Sequence, residues 1–308
     1  MEGVIYYWFN FSRPSKQASI LDLNILGDSA VIIETLKIGI NSFEQFTDQN
    51  FVIIPESNVP PVMDQYVTAN TRIALIYNGE VRSFYIKVVL GGFEPVPPPH
   101  IFYDRDQYIW DHDTNFVSSI KDFIKIESDG FYQFRLDSNS TNSYYVVGLE
   151  EDYPRITQPR NRIRTLIYLM TTKEYGRVVN DQNHEERFNE FWFNIGGSQE
   201  RAAVLSGHYL DRIENANRMY TTIMEGWKTD RGMIYIIFGN PDVIETPGQK
   251  LVWLYNNMEG NPVRFVFKKP KKPIHRSEYY LVRQETYREP WFEAVNNWRL
   301  GRVTNLNK

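Results

Sequence analysis

The chain contains no cysteine. Disulfide staples, thiolate metal sites and a thiol nucleophile are therefore excluded. No apolar run approaches the ~20 residues that carry a helix across a bilayer. The early stretch GVIYYWFNF is too short and too polar-flanked for that, and reads better as a strand. Nothing near Met1 reads as a secretory leader. Neither sign of charge dominates: 34 Lys and Arg against 38 Asp and Glu leave a net −4. The chain as a whole is not drawn to nucleic acid or to anionic membranes. Its one basic run, Lys268-Lys269-Pro270-Lys271-Lys272, reads as a solvated hairpin loop. The five histidines (His100, His112, His184, His208 and His275) are scattered, and none pairs at i+3 or i+4, so no local zinc motif exists. G-x-S-x-G and a Gly-rich phosphate loop are also missing.

What the sequence does have is length for two domains, a hydrophobic share of 42% that fits a globular core, and an aromatic share of 15% that is heavy for one. Such rings favour strands, cores and binding faces. Residues 4–9, 19–26, 30–40, 51–55, 71–77 and 81–90 read as short strands, with Asn78-Gly79 a strong hairpin signal. This pattern predicts an Ig-like β-sandwich over residues 4–94. PVPPPH at 95–100 stops it, because serial prolines make a stiff connector and cannot feed a central ladder. Residues 131–136 and 143–149 then read as a hairpin, so 95–159 is expected to be a connector with a bridging β segment. No internal repeat or low-complexity tract occurs.

From residue 160 to 303 the period changes and predicts an α+β domain, giving an α+β protein overall. Thr171 and Glu174 form a capping box. Asn183 caps a second helix, in which Phe188, Phe191, Trp192 and Ile195 share a face. Gly196-Gly197 ends it and Ser198 opens a third. There Ala202, Leu205, Tyr209, Ile213, Ala216, Tyr220 and Ile223 fall on one stripe, so the helix is expected to run to about Met224. Residues 233–239, 250–256, 263–269 and 279–283 read as an antiparallel meander. Pro290 opens a last helix that Gly301 stops.

The most distinctive stretch is GWKTDRGMIYIIFGNPD, residues 226–242. Gly226 suits a left-handed helix end, Trp227 folds back as an anchor, Thr229 and Asp230 suit a turn, Gly232 admits the chain to a strand, and Gly239-Asn240-Pro241-Asp242 reads as a turn. Turn chemistry accounts for nearly every position, so a rigid corner is the first reading. The second is a small polar site in which Trp227, Thr229, Asp230, Arg231 and Asp242 converge, with Asp230 as base and Arg231 as anion clamp. Elsewhere, Asp111, Asp113, Asn115 and Asp122 have the spacing of a calcium loop, but Phe116 stands where Gly is needed and Asp122 where a bidentate Glu is usual. An ordinary acidic loop is the simpler reading, and neither a metal nor a cofactor is expected. Asp28-Ser29-Ala30 resembles a short O-glycosylation acceptor and equally reads as a plain turn.

That stretch resembles the motif of the GWxTD domain family of bacterial envelope proteins. Gly226, Trp227, Thr229, Asp230, Arg231, Gly232, Tyr235, Phe238, Gly239 and Asp242 all match in order. The similarity extends over about residues 160–303 through YLMTTKEY, FNEFWF, HYLDRIENANRMY, WLY and WFEAVNNWRLGRV. Where many members carry Asp-Pro-x-Pro and then Asn-Glu, NIGGSQERAAV stands here, which marks a subgroup. The resemblance implies a β-rich region ahead of the domain and a secreted protein, or one lipid-anchored at an N-terminal Cys. It implies no activity. The expectation is a non-catalytic binding or scaffolding protein of the Gram-negative periplasm or outer membrane. Its partner would be an envelope protein or a glycan, and any membrane association would run through an anchor outside this sequence. The alternatives are a carbohydrate-binding accessory protein, with rings such as Trp8 or Trp110 as stacking faces, and a hydrolase or transferase working around Asp230 and Arg231.

Overall fold

A computed structural model describes residues 19–26, 32–40, 51–55, 66–77, 80–81, 84–89, 93–103, 114–120, 123–127, 130–135, 143–256, 262–271 and 277–303. The first half is built of short strands. β1 (Ser19–Leu26) and β2 (Ile32–Ile40) pair antiparallel, with Ser19 opposite Ile40. β3 (Phe51–Pro55), β5 (Arg72–Tyr77) and β6 (Glu80–Val81) form a second sheet, to which β9 (Ile124–Lys125) adds beside β5. A five-stranded sheet takes the order β4-β11-β10-β7-β8, from β4 (Tyr66–Thr68), β7 (Phe84–Val89), β8 (Thr114–Ile120), β10 (Phe131–Arg135) and β11 (Ser143–Leu149). Within it only β4 against β11 is parallel.

The hairpin expected to bridge the two halves does more than bridge. β10 lies antiparallel to β7, Phe134 opposite Ile86, so strands from both sides of the Pro-rich segment complete one sheet. Alternation in a sequence tells which face of a strand is buried, but not which distant strand lies beside it.

The second half begins with α1 (Pro159–Thr165), α2 (Thr172–Val179), α3 (His184–Gly196) and α4 (Gln199–Tyr220). Most local signals act as read, although Asn183, at the N-cap of α3, makes no side-chain capping bond. Thr171 and Glu174 close a capping box on α2, Gly197 ends α3 at φ +73°, and the Ser198 hydroxyl accepts the Arg201 N–H. The stripe on α4 is buried from Ala202 to Tyr220, but the helix stops at Tyr220, short of the expected Met224. The expected strand at 233–239 departs more sharply: residues 233–238 are helical, within α5 (Asp230–Phe238), and Gly239 ends the helix. Met233, Ile234, Tyr235, Ile236 and Ile237 are all buried. A run that is apolar on every side carries no period to separate helix from strand.

A four-stranded antiparallel meander follows, in order β12 (Val243–Glu245), β13 (Lys250–Tyr255), β14 (Val263–Lys268) and β15 (Tyr280–Leu281). Its first strand is thus Val243–Glu245 rather than 233–239. α6 (Arg288–Arg299) closes the fold, buries Trp291 and Trp298, and stops at Gly301, φ +63°. The main core gathers Trp192, Tyr209, Trp227, Trp253, Phe265 and Trp298 between helices and meander. α5 sits at its centre. Its last carbonyls accept from Arg212 (to Ile236 O, 2.9 Å) and from the Trp298 indole (to Ile237 O, 3.1 Å), so its buried end is satisfied.

Candidate functional site

The distinctive stretch begins where α4 ends. Thr221–Glu225 runs as a loop, and Gly226–Lys228 makes one 3-10 turn. Gly226 is not left-handed. It is glycine because a Cβ there would lie 1.9 Å from the Ala216 carbonyl oxygen on α4. Gly232 is a helical residue, and its Cβ would lie 1.8 Å from Gly226 O. The two glycines let the turn press onto α4 and α5 press onto the turn. Gly239 is the position that uses positive φ, at +82°, ending α5. Pro241 and Asp242 follow in the bend before β12.

Trp227 is 1% exposed. Its indole N–H donates to Glu225 Oε2 (3.2 Å), its backbone N–H to Asn217 Oδ1 (3.1 Å), and its carbonyl accepts from the Tyr168 hydroxyl (3.1 Å). Lys228, also buried, pairs with Glu225 at 2.6 Å. Asn217 donates to Pro154 O (2.8 Å), and Thr221 Oγ accepts the Gly226 N–H (2.8 Å). Thr229 is the N-cap of α5: its hydroxyl accepts the Gly232 N–H (3.1 Å) and donates to Gly226 O (2.7 Å).

Asp230 occupies the first turn of α5, where a carboxylate suits the positive end of the helix. It does not pair with Arg231. Its Oδ2 accepts the Leu281 N–H at 3.0 Å, and its Oδ1 accepts from Arg283, both side chains buried. Arg283 in turn donates to the carbonyls of Pro97 and Pro98 and lies 4.8 Å over the Tyr103 ring. Arg231 turns elsewhere, donating to Ser277 O and lying between the rings of Tyr220 (5.1 Å) and Tyr279 (5.2 Å). Burial lowers its pKa from the ordinary arginine value. Adjacent helix residues point about 100° apart, which is why sequence neighbours make poor partners here.

The convergence of Asp230, Arg231 and Asp242 is therefore absent. Asp242 lies beyond the far end of α5, about 14 Å of helix away at ~1.5 Å per residue. It is exposed and accepts the Asn256 N–H at 2.8 Å. The carboxylate that shares a hollow with Asp230 is Glu278, 5% exposed. That hollow, walled also by Val96, Tyr103, Thr222 and Thr229, holds about 30 Å3, room for a water. Glu278 and Arg283 escaped the sequence reading because no local spacing links them to the motif; Arg283 is 53 residues from Asp230.

The connector is part of this site. Val96 N–H donates to Lys228 O at 3.0 Å, Val96 belongs to the main core, and His100 packs on Phe292 at 5.3 Å. On the other side of the corner, Phe93, Phe131, Val147 and Leu149 share a core with Ile223 and Met224. The corner thus joins α4, α5, the connector and the five-stranded sheet. Of the calcium-like set, Asp111, Asp113 and Asp122 lie outside the described residues, as do Trp8, Trp110 and Ser29. Asn115 lies in β8, opposite Val88. Among the described residues no group of three or more His, Asp or Glu side chains could hold a metal ion.

A model of the GWxTD domain matches residues 130–300, more than half of the chain. The match starts at the β10–β11 hairpin rather than near residue 160. No curated protein matches the chain.

Proposed function

Because the chain belongs to the GWxTD domain family, we propose that it serves without catalysis, as a binding or scaffolding protein of the Gram-negative envelope. In its full-length form it would be secreted or lipid-anchored at the periplasm or outer membrane. The carrying observation is how the motif spends its polar groups. Both Asp230 oxygens, the Thr229 hydroxyl and the Arg231 guanidinium are turned inward onto the fold's own partners. A general base or anion clamp needs a free face toward a substrate. The hollow at Asp230 is also about tenfold below the ~300 Å3 at which ligand pockets begin, which weighs against the hydrolase or transferase alternative.

The envelope assignment rests on the family, and the partner we favour is an envelope protein. Exposed rings such as Tyr85, Phe102, Phe193 and Phe292 sit on separate elements, which gives less support to a carbohydrate-stacking row. We also read the first half as an Ig-like sandwich. In support, Ile73 of the β3-β5-β6 sheet shares a core with Phe84, Ile86, Phe134 and Val146 of the five-stranded sheet. The test is fractionation of the native bacterium after in-cell crosslinking. The full-length protein should appear in the periplasmic or outer-membrane fraction, crosslinked to another envelope protein. A cytosolic location would overturn the reading.

A further inference from the structure

An open groove of about 1250 Å3 runs between the outer faces of α3 and α4, away from the motif corner. Small side chains make its α4 wall, including Ala203 and Ser206. Its α3 wall carries Glu185, Glu186, Glu190 and Phe193. No lysine or arginine is among the residues lining it. Arg162 pairs with Glu185, and Arg187 with both Glu186 and Glu190, yet each of the three carboxylates stays at least half exposed and open to a further cation. Phe193 is 48% exposed. Trp192, 1% exposed, also belongs to the lining, and its indole N–H has no hydrogen-bond partner.

Carboxylates beside an aromatic wall suit one kind of occupant: an extended, proline-containing, cationic segment. The proline ring lies on the aromatic, the flanking cations meet the carboxylates, and a segment already held by its fold loses less entropy on docking than a free chain. The chain carries one such segment itself. Lys268, Lys269 and Lys271 are exposed around Pro270 where β14 ends; the Lys268 backbone is paired with Lys250 and Tyr280, and the Lys269 ammonium lies 5.4 Å over the Tyr279 ring, so the segment is held in place with its charges outward. We propose that the Lys268–Lys271 segment of a second copy docks in the α3–α4 groove. The contact is heterologous, joining different patches on the two copies, so it propagates head to tail.

Sedimentation equilibrium of the purified chain tests this. In about 20 mM salt the average mass should climb with concentration beyond that of a dimer; in about 0.5 M salt, where exposed charges are screened within a few Å, it should fall to the monomer. Changing Lys268, Lys269 and Lys271 together to Gln should weaken association at least about tenfold, and so should Glu185→Gln with Glu186→Gln. An equimolar mixture of the two variants retains one working contact and should stop at the dimer. Phe193→Ser, at a half-exposed ring, should give the same loss with an unchanged melting temperature. A chain that stays monomeric in low salt, associates equally in high salt, or associates unaltered in either variant would overturn the proposal. So would a mixture that grows past the dimer.

Discussion

At the scale of single residues, the motif is a set of tight fits. Trp227 is buried, bonded at both nitrogens and edge-on to Tyr168. Trp227→Ala should cost on the order of 3–5 kcal/mol, read as a lowered urea midpoint at an unchanged slope. Gly226→Ala should be strongly destabilising for a steric reason, since the new Cβ would meet the backbone of α4 at 1.9 Å. Gly239→Ala should cost on the order of 1–3 kcal/mol for a conformational one, its φ of +82° and ψ of −156° lying in a region that only glycine adopts readily. Equal tolerance of all three would mean that the corner is far looser than its contacts.

Elements expose both the reach and the limit of the sequence. Where a signal is local the structure follows it: the Thr171–Glu174 box, Gly197 at +73°, and the α4 stripe from Ala202 to Tyr220. α5 is a helix where a strand is expected, because its apolar run has no periodicity, although Thr229 followed by Asp230 is itself a helix-start signal. Thr229→Ala should cost about 1 kcal/mol, as loss of an N-cap does; a strand would lose nothing comparable. Partners far apart in sequence were illegible, among them Asp230 with Arg283 and Glu174 with Arg299. The latter ties α2 to α6. Hydrogen bonds from Arg299, and then from Thr171, hold the Glu174 carboxyl at about 2 against an ordinary 4.5. A depressed carboxylate stabilises the fold above its unfolded pKa, and the contribution is lost as pH falls from 4.5 toward 2. Thermal melts of the parent and of Glu174→Gln should therefore converge across that window. A gap that persisted at its acid end would contradict the assignment.

Across the whole molecule, the Pro-rich connector is a docked strap rather than a free spacer. Val96 enters the main core and Arg283 holds the carbonyls of Pro97 and Pro98. Ile223 and Met224 are covered by the β10–β11 hairpin and Phe93. A fragment of residues 160–303 lacks both covers, so it should melt with lower cooperativity than a fragment of residues 93–303. Equal melting of the two would show that the strap and hairpin add little. The central claim is that the motif's charge is a clasp on this strap, and a double-mutant cycle in urea tests it most directly. Asp230→Asn or Arg283→Met alone leaves a buried charge without its partner and should cost roughly 3–5 kcal/mol, while the double mutant should lose clearly less than the sum. Single variants as stable as the parent, or strictly additive losses, would contradict the clasp and return Asp230 to the list of candidate reactive groups.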